Sequence, residues 1–392
     1  MTAGEPTVAE PAPAEVAVAE AGNESLAWLA FVPRDTVFIR DGRAFDAAAD
    51  TSGETVRPWP STIAGAVGAA FGAGPAATAQ DVPEEVRGPV LARRTGRSWL
   101  PYFPLPADLA GEAGAEAGTA YAFRLRTGPA PAGTGPGEAR IRTDLDGAVP
   151  GGGGLRWLVP PSAAGTVEPL SGWMPGARLE DYLSGELAAG EDGIPVADLE
   201  LEEPLKREIR VGLARADRQA RTGFLYQAAH LRPEDGWGFL AGCTLRAGWK
   251  RRASGPVRFG GRGRLADVEK AGDVSWPGRP GAFPGGRVLV YLATPALWRD
   301  GWRIPVPDGA VLAAAATGEP EPVASTTPDG DWARNRVLRW AVPAGSVYLL
   351  EFGDPGRALE WAAGVHGRAY GRDDDDRLRT AGFGIVLTGV WT

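Results

Sequence analysis

Basic side chains are concentrated between Arg246 and Arg264, in a stretch that contains no acidic residue. Glycine separates several of them, and the aromatic residues Trp249 and Phe259 lie among them. Clustered cationic groups bind phosphates, glycine lets a phosphate backbone approach closely, and aromatic faces stack on unpaired bases. The pattern favours a site for single-stranded RNA, although a solvated loop with two core aromatics has the same composition. The basic residues are Arg246, Lys250, Arg251, Arg252, Arg258, Arg262 and Arg264.

A second basic set surrounds the turn that Asp41 and Gly42 predict. It consists of Arg34, Arg40 and Arg43.

A third basic set lies where the two halves of the chain join. Only Asp217 offsets its arginines, and we expect Arg218 and Arg221 to reach a bound RNA backbone. Pairing with the acidic run 200–203 is an equally good alternative. The arginines of this set are Arg210, Arg215, Arg218 and Arg221.

Residues for general acid or base catalysis are few. The candidates are His230, His366 and Tyr370, and none has an evident partner in the sequence. His230 lies in an apolar strand, where a packed histidine is the commoner role, and His366 follows a helix whose dipole it would face. We therefore expect no catalytic residues.

The sequence gives no sign of a metal ion or cofactor. The carboxylates of residues 373–376 are consecutive, so they cannot all point inward, and they lack the spacing of a calcium loop. Cys243 is the single cysteine and is expected in the core.

Elements in the first half position these residues. We predict a strand at 28–39, a helix at 61–71 with Ser61 as its N-cap, extended pieces at 120–126 and 155–159, a helix at 177–187 and a strand at 206–212. The β-α-β-β-α-β order is that of a ferredoxin-like fold.

The second half predicts another β-rich unit. A hairpin of residues 221–231 and 237–246 is expected around the turn at 232–236. Strands follow at 287–293, 346–352 and 384–391, with helices at 294–300 and 356–365. The fold class is therefore α+β, with two ferredoxin-like domains and loop insertions near 106–154 and 301–332.

Composition supports this division. A chain of 392 residues exceeds one ordinary core, and its 56 Gly and 35 Pro indicate many turns. Residues 1–24 carry five Glu and no basic residue, which predicts a disordered acidic tail whose removal takes the net charge from −8 to −3. The predicted domains are 25–213 and 214–392. We expect a cytoplasmic protein, because no apolar run approaches the ~20 residues of a membrane span.

Five blocks of the sequence resemble one CRISPR family in the same order. The first is RDGRAF followed by RPWPSTIAGAVG, at 40–45 and 57–68. The family is the RAMP-type subunit of the type III-B Cmr module that holds the 5′ tag of the crRNA. The other blocks are Ala177–Gly185, Arg210–Arg232, Val257–Glu269 and Ala381–Trp391.

The resemblance implies two ferredoxin-like RAMP domains and a non-catalytic crRNA-binding subunit. Such a subunit docks on the polymerase-like large subunit beside backbone RAMP subunits, and it meets target RNA indirectly. Gly260, Gly261 and Arg264 match a family motif, whereas Lys250, Arg251 and Arg252 are proposed for RNA on charge alone. The segment with Arg377, Arg379, Gly382 and Gly384 resembles the RAMP glycine-rich loop, in which backbone N–H groups face phosphate.

Two alternatives remain open. A metal-independent crRNA-processing endoribonuclease would use His230 or His366 as its base. A binding module for sugars or peptides is suggested by the 14 Trp alone.

Overall fold

The computed structural model describes residues 26–40, 55–71, 83–112, 118–125, 155–156, 158–159, 166–187, 193–216, 218–246, 249, 255–326, 336–371 and 376–391. The predictions for the acidic tail, for Arg43, for residues 250–252 and for residues 373–375 lie outside this part of the chain.

Strands outnumber helices in these residues. The strands are β1 (Leu26–Pro33), β2 (Glu85–Thr95), β3 (Ser98–Pro104), β4 (Leu109–Glu112), β5 (Thr119–Ala122), β6 (Arg124–Leu125), β7 (Leu158–Val159), β8 (Val167–Pro169), β9 (Trp173–Pro175), β10 (Ile194–Pro195), β11 (Leu205–Ala216), β12 (Gln219–Pro233), β13 (Trp237–Thr244), β14 (Val257–Arg258), β15 (Leu265–Lys270), β16 (Arg287–Leu292), β17 (Ala310–Ala316), β18 (Glu321–Thr326), β19 (Arg336–Ala341), β20 (Val347–Phe352), β21 (Arg368–Ala369) and β22 (Ile385–Val390). The α-helices are α1 (Pro60–Phe71), α2 (Gly176–Ser184), α3 (Pro355–Val365) and α4 (Asp376–Ala381).

Two antiparallel sheets organise the fold. The larger has seven strands in the order β14-β15-β1-β13-β2-β3-β9, and the other has five in the order β17-β20-β16-β22-β21. The hairpin of β11 and β12 is a separate two-stranded sheet. The seven-stranded sheet takes strands from both sides of the predicted boundary at 213 and 214, so this sheet does not divide there.

Alternating side chains create three apolar layers. In β1, Leu29 and Phe31 pack toward α1, whereas Ala30 faces the opposite core. The second core lies between the two sheets and also receives α2. The third core packs the far face of the five-stranded sheet on Ala358 and Ala362 of α3.

Helix α1 forms largely as its sequence predicts. Ile63 and Val67, one helical turn apart, are fully buried against the seven-stranded sheet. The helix starts at Pro60, whose fixed φ suits the first helical position, and the carbonyl of Trp59 accepts from the N–H groups of Thr62 and Ile63. Ser61 is therefore inside the helix, and its assignment as N-cap was wrong.

Two other local predictions were wrong for one reason, which is long-range pairing. β12 pairs with β11, whereas β13 pairs with β1 and β2, so the predicted hairpin around residues 232–236 does not exist. Residues 294–300 form no helix, because Ala296 exchanges backbone hydrogen bonds with Val342. The α+β class is confirmed, and division into two ferredoxin-like domains stays a prediction.

Candidate nucleic-acid interface

The loop Phe259–Arg264 brings its two glycines against Phe38, in the segment that also carries Arg34 and Arg40. The N–H of Gly261 donates to the carbonyl of Phe38 at 2.7 Å. A Cβ on Gly260 would lie 2.8 Å from the same oxygen, and its φ of 90° is one that side chains rarely adopt. Glycine is therefore required where the two segments touch.

The carboxylate of Asp35 is the meeting point of three arginines. Arg210 from β11 donates to its Oδ1 at 3.1 Å and Arg232 from β12 at 2.9 Å. Arg264 from the glycine loop binds Oδ2. Guanidinium groups that lie as far as 229 positions from Asp35 in sequence thus converge on its carboxylate.

A second carboxylate, that of Glu208, lies beside Asp35. Asp35, Glu208, Arg210, Arg232 and Arg264 together form the basic cluster. Glu208 accepts from Arg210 and Arg232 at 2.6 Å each, and both arginines lie on one face of the hairpin. Their hydrogen bonds lower the pKa of Glu208. Burial acts to raise the pKa of Asp35, but the bonds from Arg210 and Arg232 outweigh it, and that pKa is lowered too.

Other arginines surround the cluster. Arg34 is paired bidentately with Asp267, at 2.9 and 2.8 Å. The guanidinium of Arg262 lies 5.1 Å from the ring centroid of Phe38. Arg40 is exposed, and its backbone bridges to Thr55. Of the predicted RNA-binding residues, the structure thus brings together Arg34, Arg40, Gly260, Gly261, Arg262 and Arg264.

Four other predicted arginines lie at the turn end of the β11–β12 hairpin or on α4. Arg218 is exposed in the turn between β11 and β12, and Arg221 follows in β12. Arg379 is exposed on α4, and Arg377 belongs to the same helix. The contribution of each of these residues to RNA binding stays a prediction.

The C-terminal glycines have a structural role that the sequence did not reveal. Both are buried, and their N–H groups donate within the chain, Gly382 to the carbonyl of Arg379 at 3.0 Å and Gly384 to that of Pro295 at 2.9 Å. A Cβ on Gly382 would meet the carbonyl of Val86 at 2.6 Å. Gly382 has no side chain because the loop packs directly on the backbone of β2. The N–H groups of Gly382 and Gly384 bond within the chain and do not face outward.

The histidines are held by hydrogen bonds. His230 is 1% exposed, its Nδ1 lies 2.9 Å from the hydroxyl of Thr36, and its ring is 4.7 Å from that of Phe38. Burial, followed by the nearby Arg264 and Arg210, lowers its pKa.

His366 has partners at both ring nitrogens. Its Nδ1 accepts from the N–H of Thr388 and its Nε2 lies 3.0 Å from the carbonyl of Pro277, so the Nε2–H tautomer fits. Burial lowers its pKa. The hydroxyl of Tyr370 donates to Pro305 at 2.9 Å.

Sequence reasoning missed the carboxylates of the cluster. Asp35 and Glu208 were not singled out, and neither was Arg232. Alternating charge in β11 was an available signal, but nothing in the sequence showed that β11 and β12 would place it beside Asp35.

Ion pairs in this region join four arginines to three carboxylates. Arg210, Arg232 and Arg264 contact Asp35, Arg210 and Arg232 also contact Glu208, and Arg34 contacts Asp267. Within the described residues, no group of His, Cys, Asp and Glu is placed to hold a metal ion. None of the described helices is long and apolar enough to cross a membrane.

The sequence profile of the Cas_Cmr3 family, a CRISPR-associated protein, matches residues 29–391. The chain belongs to this family. The family resemblance of the five sequence blocks is thereby confirmed, and the match spans both sheets and the basic cluster around Asp35.

Solved structures that resemble the chain come from type III-B Cmr-beta assemblies. A chain of the cryo-EM structure bound to cognate target RNA and AMPPnP, state 1, is 13% identical with a TM-score of 0.43, over 82% of this chain and 86% of that one. A chain of the structure bound to cognate target RNA is 14% identical with a TM-score of 0.42, over the same shares. No curated protein matches the chain.

Proposed function

We propose that the chain is a non-catalytic RNA-binding subunit of a type III-B CRISPR Cmr complex, and that its basic cluster grips the 5′ tag of the crRNA. Family membership supports the place in the complex. The polymerase-like large subunit is the proposed docking partner, with backbone RAMP subunits adjoining and target RNA met indirectly.

The observation that carries the RNA-binding proposal is the convergence of Arg210, Arg232 and Arg264 on Asp35. A carboxylate that holds three guanidinium groups fixes their orientation, so that their remaining N–H donors can bind a phosphate at a lower entropy cost. Arg262 also lies over the buried ring of Phe38, which places a further guanidinium group beside the cluster.

Salt-dependent binding of a crRNA tag fragment tests this proposal. The variants Arg232→Ala and Arg262→Ala each remove one candidate phosphate contact, and each should reduce the magnitude of the log-log salt slope by about 1. Affinity near 0.1 M salt should fall about 5-fold to 20-fold per arginine.

Arg178→Ala is the matched control. This arginine is also partly exposed and ion-paired, with Asp181 and Glu200, but it lies on α2. Equal losses in Arg178→Ala and Arg232→Ala would contradict a defined site. Tag binding with no salt dependence would contradict phosphate recognition altogether.

Cleavage assays test the non-catalytic part of the proposal. Purified protein is incubated with repeat RNA without metal, beside His230→Ala and His366→Ala variants. We expect no site-specific product from any of the three. A product that disappears in one histidine variant would favour the endoribonuclease alternative instead.

A further inference from the structure

A cleft of about 480 Å³ lies where the segment 55–59, which precedes α1, meets β9, β18 and the turn before residue 296. Its volume is within the roughly 300–1,000 Å³ of clefts that bind small ligands. The walls are mostly apolar and include Trp59, which is buried, and Trp173 of β9. Prolines supply much of the remaining lining, namely Pro58, Pro89, Pro104 and Pro295.

These walls are rigid. Proline has a fixed φ, and the backbone of Trp173 exchanges hydrogen bonds of 3.0 Å with that of Glu202. A cleft that keeps its shape without a ligand loses little conformational entropy when one binds.

One charged pair stands at this apolar cleft. Arg57 donates from Nη2 to Oε1 of Glu321 at 3.2 Å, and both side chains are about one-third exposed, at 31% and 27%. The guanidinium carbon of Arg57 also lies 4.8 Å from the ring centroid of Trp173. Donor and acceptor groups are therefore side by side next to flat aromatic surface.

We propose that this cleft binds one unstacked nucleobase of the RNA, with guanine preferred. Aromatic faces and a planar guanidinium suit a flat heterocycle, which enters an apolar cleft edge-first. Guanine presents the O6 acceptor to Arg57 and its N–H donors to the Glu321 carboxylate, and this donor and acceptor order does not match adenine, cytosine or uracil equally well.

The cleft adjoins the basic cluster. Thr55 lines the cleft and bridges to Arg40, and Leu231 lines it and bridges to Val37. Leu231 lies on the face of the hairpin opposite His230 and Arg232, so cluster and cleft occupy two sides of the same hairpin base. This inference rests on the proposed RNA-binding function and adds one base-reading site to it.

Binding of short oligonucleotides to the full chain tests the inference. The probes are an oligoadenylate of about eight nucleotides and a series in which guanosine replaces each adenosine in turn. Guanosine at one position should strengthen binding by about 10-fold. In Glu321→Gln, which keeps the shape of the side chain, that preference should vanish, whereas oligoadenylate should bind no more weakly than to the wild type, because the variant only removes a negative charge.

Trp173→Leu provides a second reading, because it removes the ring on which Arg57 lies. This variant should also lose the guanosine preference, and a thermal melt reports whether its fold is intact. If guanosine has no effect at any position, or if Glu321→Gln retains the preference, the inference is overturned. Impaired binding of a partner protein by Glu321→Gln, with the guanosine preference unaltered, would identify a protein-docking cleft instead.

The two proposals fail differently. Oligonucleotide binding that is absent even at low salt overturns both of them. Binding that weakens with salt and depends on Arg232, but ignores guanosine and Glu321, leaves the proposed function standing and removes only the base site.

Discussion

The close contact between the glycine loop and Phe38, which positions Arg264, requires that residue 260 has no side chain. Its φ of 90° and the 2.8 Å approach of the Phe38 carbonyl penalise any side chain, so Gly260→Ala should lower the free energy of unfolding by about 1–3 kcal/mol. The displaced loop should also weaken tag binding, because Arg264 leaves its place at Asp35. Denaturant titration and RNA binding measure the two effects.

Gly255→Ala is the control for this substitution. No atom lies within 4 Å of a Cβ at Gly255, and the residue precedes the same glycine loop. It should therefore change neither stability nor binding appreciably. If Gly260→Ala behaves like Gly255→Ala, the close contact with Phe38 does not shape the cluster.

Asp108 is a buried carboxyl group that makes stability depend on pH. Its oxygens accept from the hydroxyl of Tyr182 at 2.7 and 2.9 Å, yet burial raises its pKa to about 6. The folded state therefore binds more protons than the unfolded state between about pH 4 and pH 6, and this group's contribution falls as pH rises through that window.

Asp108→Asn should remove this dependence while an amide oxygen still accepts from Tyr182. Relative to wild type, the variant should gain about 1–3 kcal/mol in the free energy of unfolding between pH 4 and pH 7.5. Denaturant midpoints measured at several pH values provide the comparison, and other titrating groups cancel in the difference. A difference that stays constant with pH would show that Asp108 ionises normally.

At the scale of single elements, α3 depends on its cap. Asp354 accepts from the N–H of Gly356 at 2.8 Å, and Pro355 occupies the first helical position. Asp354→Ala should cost about 1 kcal/mol of unfolding free energy. Glu360→Ala, an exposed change on the same helix, should stay within about 0.5 kcal/mol. Similar values for the two variants would show that the cap is dispensable.

Elements whose signals are local could be predicted from the sequence. α1, α2 and α3 and the last strand, β22, lie where apolar periodicity and turn residues put them. The β2–β3 hairpin was missed although Gly96, with a φ of 62°, forms its turn. Residues 294–300 show where local signals fail. Their sequence predicts a helix, but Ala296 instead exchanges backbone hydrogen bonds with Val342, 46 positions away.

The candidate site divides in the same way. The arginine turn and the glycine loop can each be recognised from the residues within that segment, so both were predicted. Their contact was not, because it depends on β1 pairing with β15 and on the hairpin folding beside them. Asp35 lay inside the predicted strand 28–39 with no sign of its role, since its three arginines are 175, 197 and 229 positions away.

For the whole molecule, the packing between the sheets decides how the chain can be divided. Leu240 and Phe103 of the seven-stranded sheet share one buried core with Leu289, Tyr291 and Leu387 of the five-stranded sheet. Tyr291 also donates to the carbonyl of Pro104 at 2.6 Å. Because this core belongs to both sheets, we expect a single cooperative unfolding transition, with equal calorimetric and van't Hoff enthalpies.

Fragment complementation provides a sharper test of how the chain divides. Both neighbours of β13 in the sheet, β1 and β2, precede residue 214, so a fragment 214–392 leaves β13 with two unpaired edges. A cut between Gly281 and Ala282 instead leaves each of the two large sheets intact, and both residues there are exposed.

Co-expressed fragments 1–281 and 282–392 should therefore copurify as a stable, folded pair, joined by the core between the sheets. Fragments 1–213 and 214–392 should be insoluble when expressed separately and should reassociate poorly when expressed together. Size-exclusion chromatography with circular dichroism distinguishes the two cuts. A soluble, cooperatively folded fragment 214–392 would contradict the dependence of β13 on its neighbours, and it would favour the domain boundary that the sequence predicts.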